Sequence, residues 1–120
     1  MPSDQFHRIE KLVGNCEDWQ SVTFENSWVD FNSATHATAQ YYKDQFNIVH
    51  LKGVVKNGSG IPSTIFTLPA DYRPDDGIVH SFAVVSVGAF GEVYINASGE
   101  VICQVGSTSA VTLDGISWRA

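Results

Sequence analysis

Hydrophobic and polar residues follow two different periodicities along the 120-residue chain. Near the start, Phe6, Ile9 and Val13 recur at intervals of three and four residues, which is the spacing of one helical face. Ser3 is a suitable N-terminal cap, and Gly14 is a suitable end. We therefore predict a short helix over residues 1–14. It either covers one end of the core or is the remnant of a coiled-coil neck.

Beyond residue 14 the pattern changes to runs of aromatic and β-branched residues that are separated by turn-forming residues, which is typical of strands. Asn96–Gly99 predicts a tight hairpin loop in which Gly99 adopts a positive φ. The runs that we assign to strands and their turns are WQSVTFENSWVDF, YYKDQFNIVHLKGVVKNG, STIFTLP, VHSFAVVSVG, GEVYIN, EVICQVG, AVTLD and ISWRA. Short strands without a second helix predict an all-β domain over residues 15–120, an antiparallel β-sandwich or jelly roll.

Apolar residues occur on both faces of two predicted strands. In the segment SFAVVSV, Val85 and Val87 lie opposite the face that carries Phe82 and Val84, and Val54 lies on the outer face of the segment NIVHLKGVV. The outer face of an isolated sandwich would be polar. We therefore predict that a neighbouring subunit covers part of this surface and that the domain is an oligomer.

The charge of the chain narrows the classes of partner. The formal net charge is −6, and only seven Lys and Arg residues are available to contact phosphates, so we expect no nucleic acid and no anionic membrane surface as partner. No apolar run approaches the ~20 residues of a membrane span. The polar start of the chain also lacks the apolar segment of a signal peptide. Membrane insertion is therefore not expected.

Motifs of catalysis or metal binding are not found in the sequence. Cys16 and Cys103 lack CxxC spacing and are interpreted as packing residues, and Asp75 and Asp76 are interpreted as solvated turn formers. No GxSxG or phosphate-binding loop occurs. We expect a non-catalytic protein with no cofactor and no metal site. The histidines, which show no HxH or HExxH spacing, are His7, His36, His50 and His80.

The order of the segments NSWVDF, YYKDQFNIVHLKGVVKNGSG, STIFTLPADYRP, FAVVSVGAFGEVYINASGEV and VTLDGISWR resembles the C-terminal domains of tailed-bacteriophage tail fibres and receptor-binding proteins. In that family a V-x-L-K/R-G strand, a Gly-rich hairpin and an LPagyRP corner precede a G-x-V-x-I hairpin and a final L-x-G-I-x-aromatic strand. The likeness covers residues 19–119. This chain departs from the family pattern at Ser27 and Asp71, where glycine is usual.

The resemblance implies a homotrimeric domain at the tip of a phage tail, assembled in the cytoplasm of the bacterial host together with other tail or baseplate proteins. It implies adhesion to a saccharide of the bacterial cell surface without catalysis. Two alternatives are a purely structural tip or trimerisation cap, and an accessory domain of a polysaccharide depolymerase.

The corner Leu68–Pro74 is interpreted as architectural. Pro69 and Pro74 fix their own φ angles and restrict the residues before them. Arg73 carries a planar group with five donors that suits the carbonyls of a corner, which we favour over a role in direct ligand binding.

A saccharide site needs an aromatic surface beside short polar side chains. The segment SWVDFNSATHATAQYY supplies both in a loop-like insert. Trp28 is equally compatible with a place in the core, and we assign Trp19 and Trp118 to packing. The predicted saccharide-binding residues are Trp28, Asp30, Asn32, His36, Tyr41 and Tyr42.

Overall fold

The computed structural model describes residues 17–120, so the predicted helix at residues 1–14 and Cys16 lie outside the described residues. Within this range the chain forms strands and one short 3-10 helix at Ala70–Tyr72. The strands are β1 (Gln20–Ser21), β2 (Val29–Asp30), β3 (Gln40–Lys43), β4 (Ile48–Lys52), β5 (Val54–Lys56), β6 (Ser63–Thr67), β7 (His80–Ser86), β8 (Ala89–Ile95), β9 (Glu100–Val105), β10 (Val111–Thr112) and β11 (Ser117–Arg119).

The strands form three antiparallel sheets, with the orders β1-β3-β4-β11, β10-β5-β2 and β6-β9-β8-β7. The first two sheets follow each other along the chain through β4 and β5, which are separated only by Gly53. The all-β antiparallel prediction is therefore confirmed.

The three sheets share one hydrophobic core. In β4, β8 and β9 alternate residues point into it, which is the period-two pattern expected of strands with one buried face. Val54 is buried too, but it is not among the residues of this core, whereas its neighbour Val55 is, so Val54 lies on the other face of β5 and is covered there within the chain. The aliphatic core residues contributed by the strands include Val49, Leu51, Val55, Ile65, Val93, Ile95, Val101 and Val111.

The glycine-rich loop after β5 accommodates the largest core side chain. A Cβ atom on Gly58 would overlap the indole ring of Trp28, so only a residue without a side chain permits this packing. The Trp28 Nε1 group donates a hydrogen bond to Ser63 Oγ at 2.9 Å. The loop is therefore part of the core architecture.

The two departures from the family pattern, Ser27 and Asp71, differ in backbone conformation. Ser27 has a φ of 68°, in the left-handed region that favours glycine, whereas Asp71 lies within the 3-10 helix and needs no such conformation. The predicted hairpin at Asn96 is confirmed, since Gly99 has a φ of 82° and Asn96 Oδ1 accepts hydrogen bonds from the backbone of Ser98 and Glu100.

Two side chains donate hydrogen bonds to backbone carbonyl groups of the corner Leu68–Pro74, in agreement with its architectural interpretation. Arg73 Nε donates to the carbonyl oxygen of Leu68 at 3.2 Å, and Trp118 Nε1 donates to the carbonyl oxygen of Tyr72 at 2.8 Å. The corner therefore attaches the 3-10 helix to the last strand.

The outer surface at the end of the β7–β8 hairpin is apolar. Phe90 pairs with Val85 across the two strands, and both side chains are exposed, Phe90 by 63%. Val87 and Gly88 form a two-residue loop in which both φ angles are positive, 52° and 70°. A β-branched residue is strained in this conformation, which Asn, Asp or Gly normally occupies. The end of this hairpin therefore presents an exposed apolar surface with a strained valine in its loop.

Candidate functional site

Two of the six predicted site residues are in the core. Trp28 is 1% exposed and Tyr41 is 7% exposed, so neither ring offers a face to a ligand. This corrects their assignment as aromatic surfaces for a sugar, and it agrees with the alternative placement of Trp28. The reason is packing, because both rings fill space in the shared core.

Asp30 and Asn32 hold the loop between β2 and β3 in shape. Asp30 Oδ1 accepts a hydrogen bond from the backbone of Ala39 at 2.8 Å, which closes the loop across its ends. Asn32 Oδ1 accepts one from the backbone of Ala34 at 3.0 Å, a local turn that asparagine commonly forms. Replacing either residue would therefore alter the loop itself.

His36 is exposed on the same loop and contacts Phe31, with ring centroids 4.9 Å apart. Its Nδ1 atom lies 2.8 Å from the hydroxyl of Thr35. The ammonium group of Lys56 lies over the Phe31 ring, 5.4 Å from its centre. In this small aromatic and basic group His36 is exposed, and Phe31 and Lys56 are half-buried. Its side chains come from one loop and one neighbouring strand.

Tyr42 belongs to a different surface, the outer face of the sheet β1-β3-β4-β11. We call Trp19, Tyr42, His50 and Lys52 the ring cluster. The ring centroids of Trp19 and Tyr42 lie 4.5 Å apart in an edge arrangement, and those of Tyr42 and His50 lie 4.9 Å apart and nearly parallel. The Lys52 ammonium lies 4.6 Å from the centre of the Trp19 ring. Three aromatic or imidazole rings and one cation therefore share the outer face of this sheet, where Trp19 is exposed and the other three side chains are half-buried.

Trp19 was assigned to packing from the sequence, and this assignment is wrong because the side chain is 39% exposed. Trp118 is buried, as predicted. Strand register explains why Trp19 is exposed and Trp118 is buried. Gln20 pairs with the buried Tyr41, so the preceding residue Trp19 lies beside the outward Tyr42. The sequence alone does not contain this register.

Asp44 fixes the orientation of His50 within the ring cluster. Its Oδ2 atom lies 2.8 Å from His50 Nε2, and its Oδ1 atom accepts hydrogen bonds from the backbone of Phe46 and Ile48. Burial opposes ionisation of the carboxyl group, but the hydrogen bonds from His50 and from the two backbone N–H groups outweigh it and lower the pKa of Asp44. The carboxylate therefore positions the imidazole against Tyr42.

Cys103 fills the core, as predicted. Its side chain is fully buried, and burial raises the pKa of the thiol to about 11, so the group is neutral at physiological pH. Among residues 17–120, no group of three or more His, Cys, Asp or Glu side chains lies close enough together to hold a metal ion. Over the same range, no helix has both the length and the apolar character needed to cross a membrane.

Comparison with known proteins gives a structural match. No family model and no curated protein sequence matches the chain. The fold is similar to the crystal structure of the receptor binding protein (gp15) of Listeria phage PSA, with a TM-score of 0.77 and a sequence identity of 20%. The match covers 97% of this chain and 71% of that chain. The resemblance that the sequence motifs indicated is therefore supported by the structure, and the chain has the fold of a phage receptor binding protein.

Proposed function

We propose that the chain is a non-catalytic adhesion domain of a phage tail, which binds a saccharide on the surface of the bacterial host. The observation that carries this proposal is the match over 97% of the chain to a protein described as a phage receptor binding protein. In the mature virion the domain lies at the tail tip, together with other tail or baseplate proteins. Its assembly takes place in the host cytoplasm.

The exposed chemistry supports binding to a saccharide. The C–H faces of a sugar ring pack on aromatic rings, and its hydroxyl groups form hydrogen bonds with amide, imidazole and ammonium groups. Of the six residues predicted from the sequence, Asn32 and His36 are exposed on the loop between β2 and β3, and Tyr42 is half-buried on the first sheet, so they mark two separate candidate surfaces. Each hydrogen bond contributes about 1 kcal/mol net, so a single shallow site is weak.

A homotrimer provides the avidity that weak sites need. The exposed face formed by Val85, Val87 and Phe90 supports assembly, since a second copy of the same chain would remove these apolar side chains from water. Linked sites then act together, and the combined affinity exceeds that of one site by orders of magnitude.

The test is binding of the fluorescently labelled protein to a panel of bacterial strains, beginning with Listeria because the similar structure comes from a Listeria phage. We expect binding to some strains and competition with phage adsorption on the same strains. Periodate, which cleaves vicinal diols of sugars, should abolish binding to treated cells, and protease treatment of cells should not.

Two results would favour the alternatives. If the folded protein bound no strain and did not compete with any phage, the structural tip or trimerisation cap would be the better explanation. If binding were accompanied by shortening of a purified surface polysaccharide, an association with depolymerase activity would replace the non-catalytic role. Binding that protease abolishes and periodate leaves unchanged would indicate a protein receptor.

A further inference from the structure

We infer that the outer face of the sheet β1-β3-β4-β11 is the saccharide-binding surface of this protein, with the ring cluster as its centre. The inference rests on the proposed function and adds to it a location and a ligand geometry. The ligand is an oligosaccharide that packs a pyranose ring on Trp19, the most exposed ring of the cluster, and forms hydrogen bonds with Tyr42 and the polar side chains beside it. Its chain runs across the strands.

The strand pairing arranges the three rings of the ring cluster in a row perpendicular to the strands. Tyr42 pairs with His50, and His50 pairs with Ser117 on β11. The ring contact with Trp19 extends the row to β1. Neighbouring strands lie about 4.8 Å apart, so a row across four strands is about 14 Å long. This length suits several linked sugar rings rather than a single one.

A second row beside the first one is polar. Ser21 pairs with Gln40, and Gln40 pairs with Lys52. These three side chains share the outer face with Tyr42 because alternate residues of a strand point to the same side. They supply a hydroxyl, an amide and an ammonium group next to the aromatic row. Aromatic surface with adjacent donors and acceptors is the combination that sugar recognition requires.

The cluster is held in position before any ligand binds. Asp44 fixes His50, His50 stacks on Tyr42, and Lys52 lies against Trp19. Rings held by such contacts lose little conformational entropy on binding, which favours affinity. The loop group of Phe31 and His36, in contrast, is held by contacts within one loop and to Lys56.

The composition of this face favours a sugar over a second copy of the chain. A protein contact is favoured at the β7–β8 hairpin, where the exposed side chains Val85, Val87 and Phe90 are aliphatic or aromatic without polar groups. On the ring-cluster face each ring has a neighbouring hydrogen-bonding group. When a sugar displaces water from such a mixed surface, its hydroxyl groups form hydrogen bonds with the polar side chains, so these side chains do not lose their hydrogen-bond partners.

The test compares two pairs of variants that are matched in chemistry. Trp19→Ala and Lys52→Ala remove an aromatic ring and the ammonium that lies over it on the ring-cluster face. Phe31→Ala and Lys56→Ala remove the equivalent pair beside the loop between β2 and β3, where the ammonium of Lys56 on β5 lies 5.4 Å from the centre of the Phe31 ring. Binding of each variant to cells, and to purified polysaccharide from a strain that the wild-type protein binds, is measured together with the thermal unfolding temperature.

We expect Trp19→Ala to weaken binding about tenfold, as loss of a ring-stacking contact predicts, and Lys52→Ala to weaken it severalfold. Phe31→Ala and Lys56→Ala should bind as the wild-type protein does. The inference is overturned if the loop variants lose binding and the ring-cluster variants retain it, or if neither pair changes binding. If Trp19→Ala does not fold, comparison of Lys52→Gln with Lys56→Gln decides in the same way. A wild-type protein that binds no cell would instead contradict the proposed function.

Discussion

At the scale of single residues, Gly58 shows how a loop glycine is required by a distant side chain. Its Cα–H faces the indole ring of Trp28, and the ring would overlap any Cβ atom at this position. Gly60 lies two residues later in the same loop, and an added Cβ atom there would meet no atom within 4 Å. The two glycines therefore have similar sequence surroundings and different structural roles.

We expect Gly58→Ala to destabilise the protein by about 1–3 kcal/mol, because the methyl group must displace Trp28 from a filled core. Gly60→Ala should change stability by less than about 1 kcal/mol, since the new methyl group has room. Chemical denaturation followed by tryptophan fluorescence measures both effects. Equal losses of stability in the two variants would contradict the packing explanation.

At the scale of elements, the turn between β3 and β4 depends on the ionised carboxyl group of Asp44. The group accepts two backbone hydrogen bonds within the turn and one from His50 on the next strand. These bonds stabilise the charged form and lower the pKa of Asp44 in the folded protein below the ordinary value of 3.8. The stabilisation is therefore fully present above pH 3.8, and it is lost as the pH falls through the lower pKa of the folded state.

Asp44→Asn should destabilise the protein at pH 7 by about 1–3 kcal/mol, because the amide cannot reproduce the charged acceptor. The difference between variant and wild type should shrink as the pH is lowered below 3.8, since the wild-type carboxyl group then becomes protonated. Urea denaturation at several pH values measures this difference. The control is Asp71→Asn, since Asp71 contacts Lys43 through its backbone carbonyl and not through its carboxylate. A difference at pH 7 that persists unchanged at low pH would contradict the role of the charge.

At the scale of the whole molecule, the two exposed surfaces have different compositions. The end of the β7–β8 hairpin is apolar, and its loop holds Val87 in a strained conformation. The outer face of the first sheet combines rings with polar groups. We propose that the apolar surface contacts other copies of the chain and the mixed surface contacts the ligand.

Phe90→Ser should convert the proposed trimer into a monomer of 13.1 kDa, because it removes the largest exposed apolar side chain of the hairpin. Val87→Asn should also weaken assembly while it relieves the strained turn, so the monomer should be at least as stable as before. Phe46→Ser is the control, since Phe46 is 69% exposed but lies on the β3–β4 turn. Light scattering at micromolar concentration measures the mass. A wild-type monomer would exclude the assembly, and an unchanged mass in Phe90→Ser would exclude this surface as its contact.

The sequence by itself determined the features that depend on neighbouring residues in the chain. Runs of aromatic and β-branched residues predicted the strands, their short length without a second helix predicted an antiparallel all-β domain, and the turn residues predicted the hairpin at Gly99. The order of motifs indicated a phage tail domain, and the match in fold agrees with it. The corner at Arg73 was predicted as architecture because proline restricts the backbone locally. These features depend on short stretches of the chain, so they can be predicted from the sequence alone.

Only the tertiary structure decided which side chains are buried and which meet on one surface. Trp19 and Trp28 both occur in polar surroundings of the sequence, yet Trp28 fills the core and Trp19 lies outside it beside Tyr42. Burial depends on strand register and on which sheets pack together, and a shift of one residue moves a side chain to the opposite face. The ring cluster joins residues of β3 and β4 with Trp19, which precedes β1, for the same reason. Its place on one face follows from long-range pairing, which no local pattern in the sequence specifies.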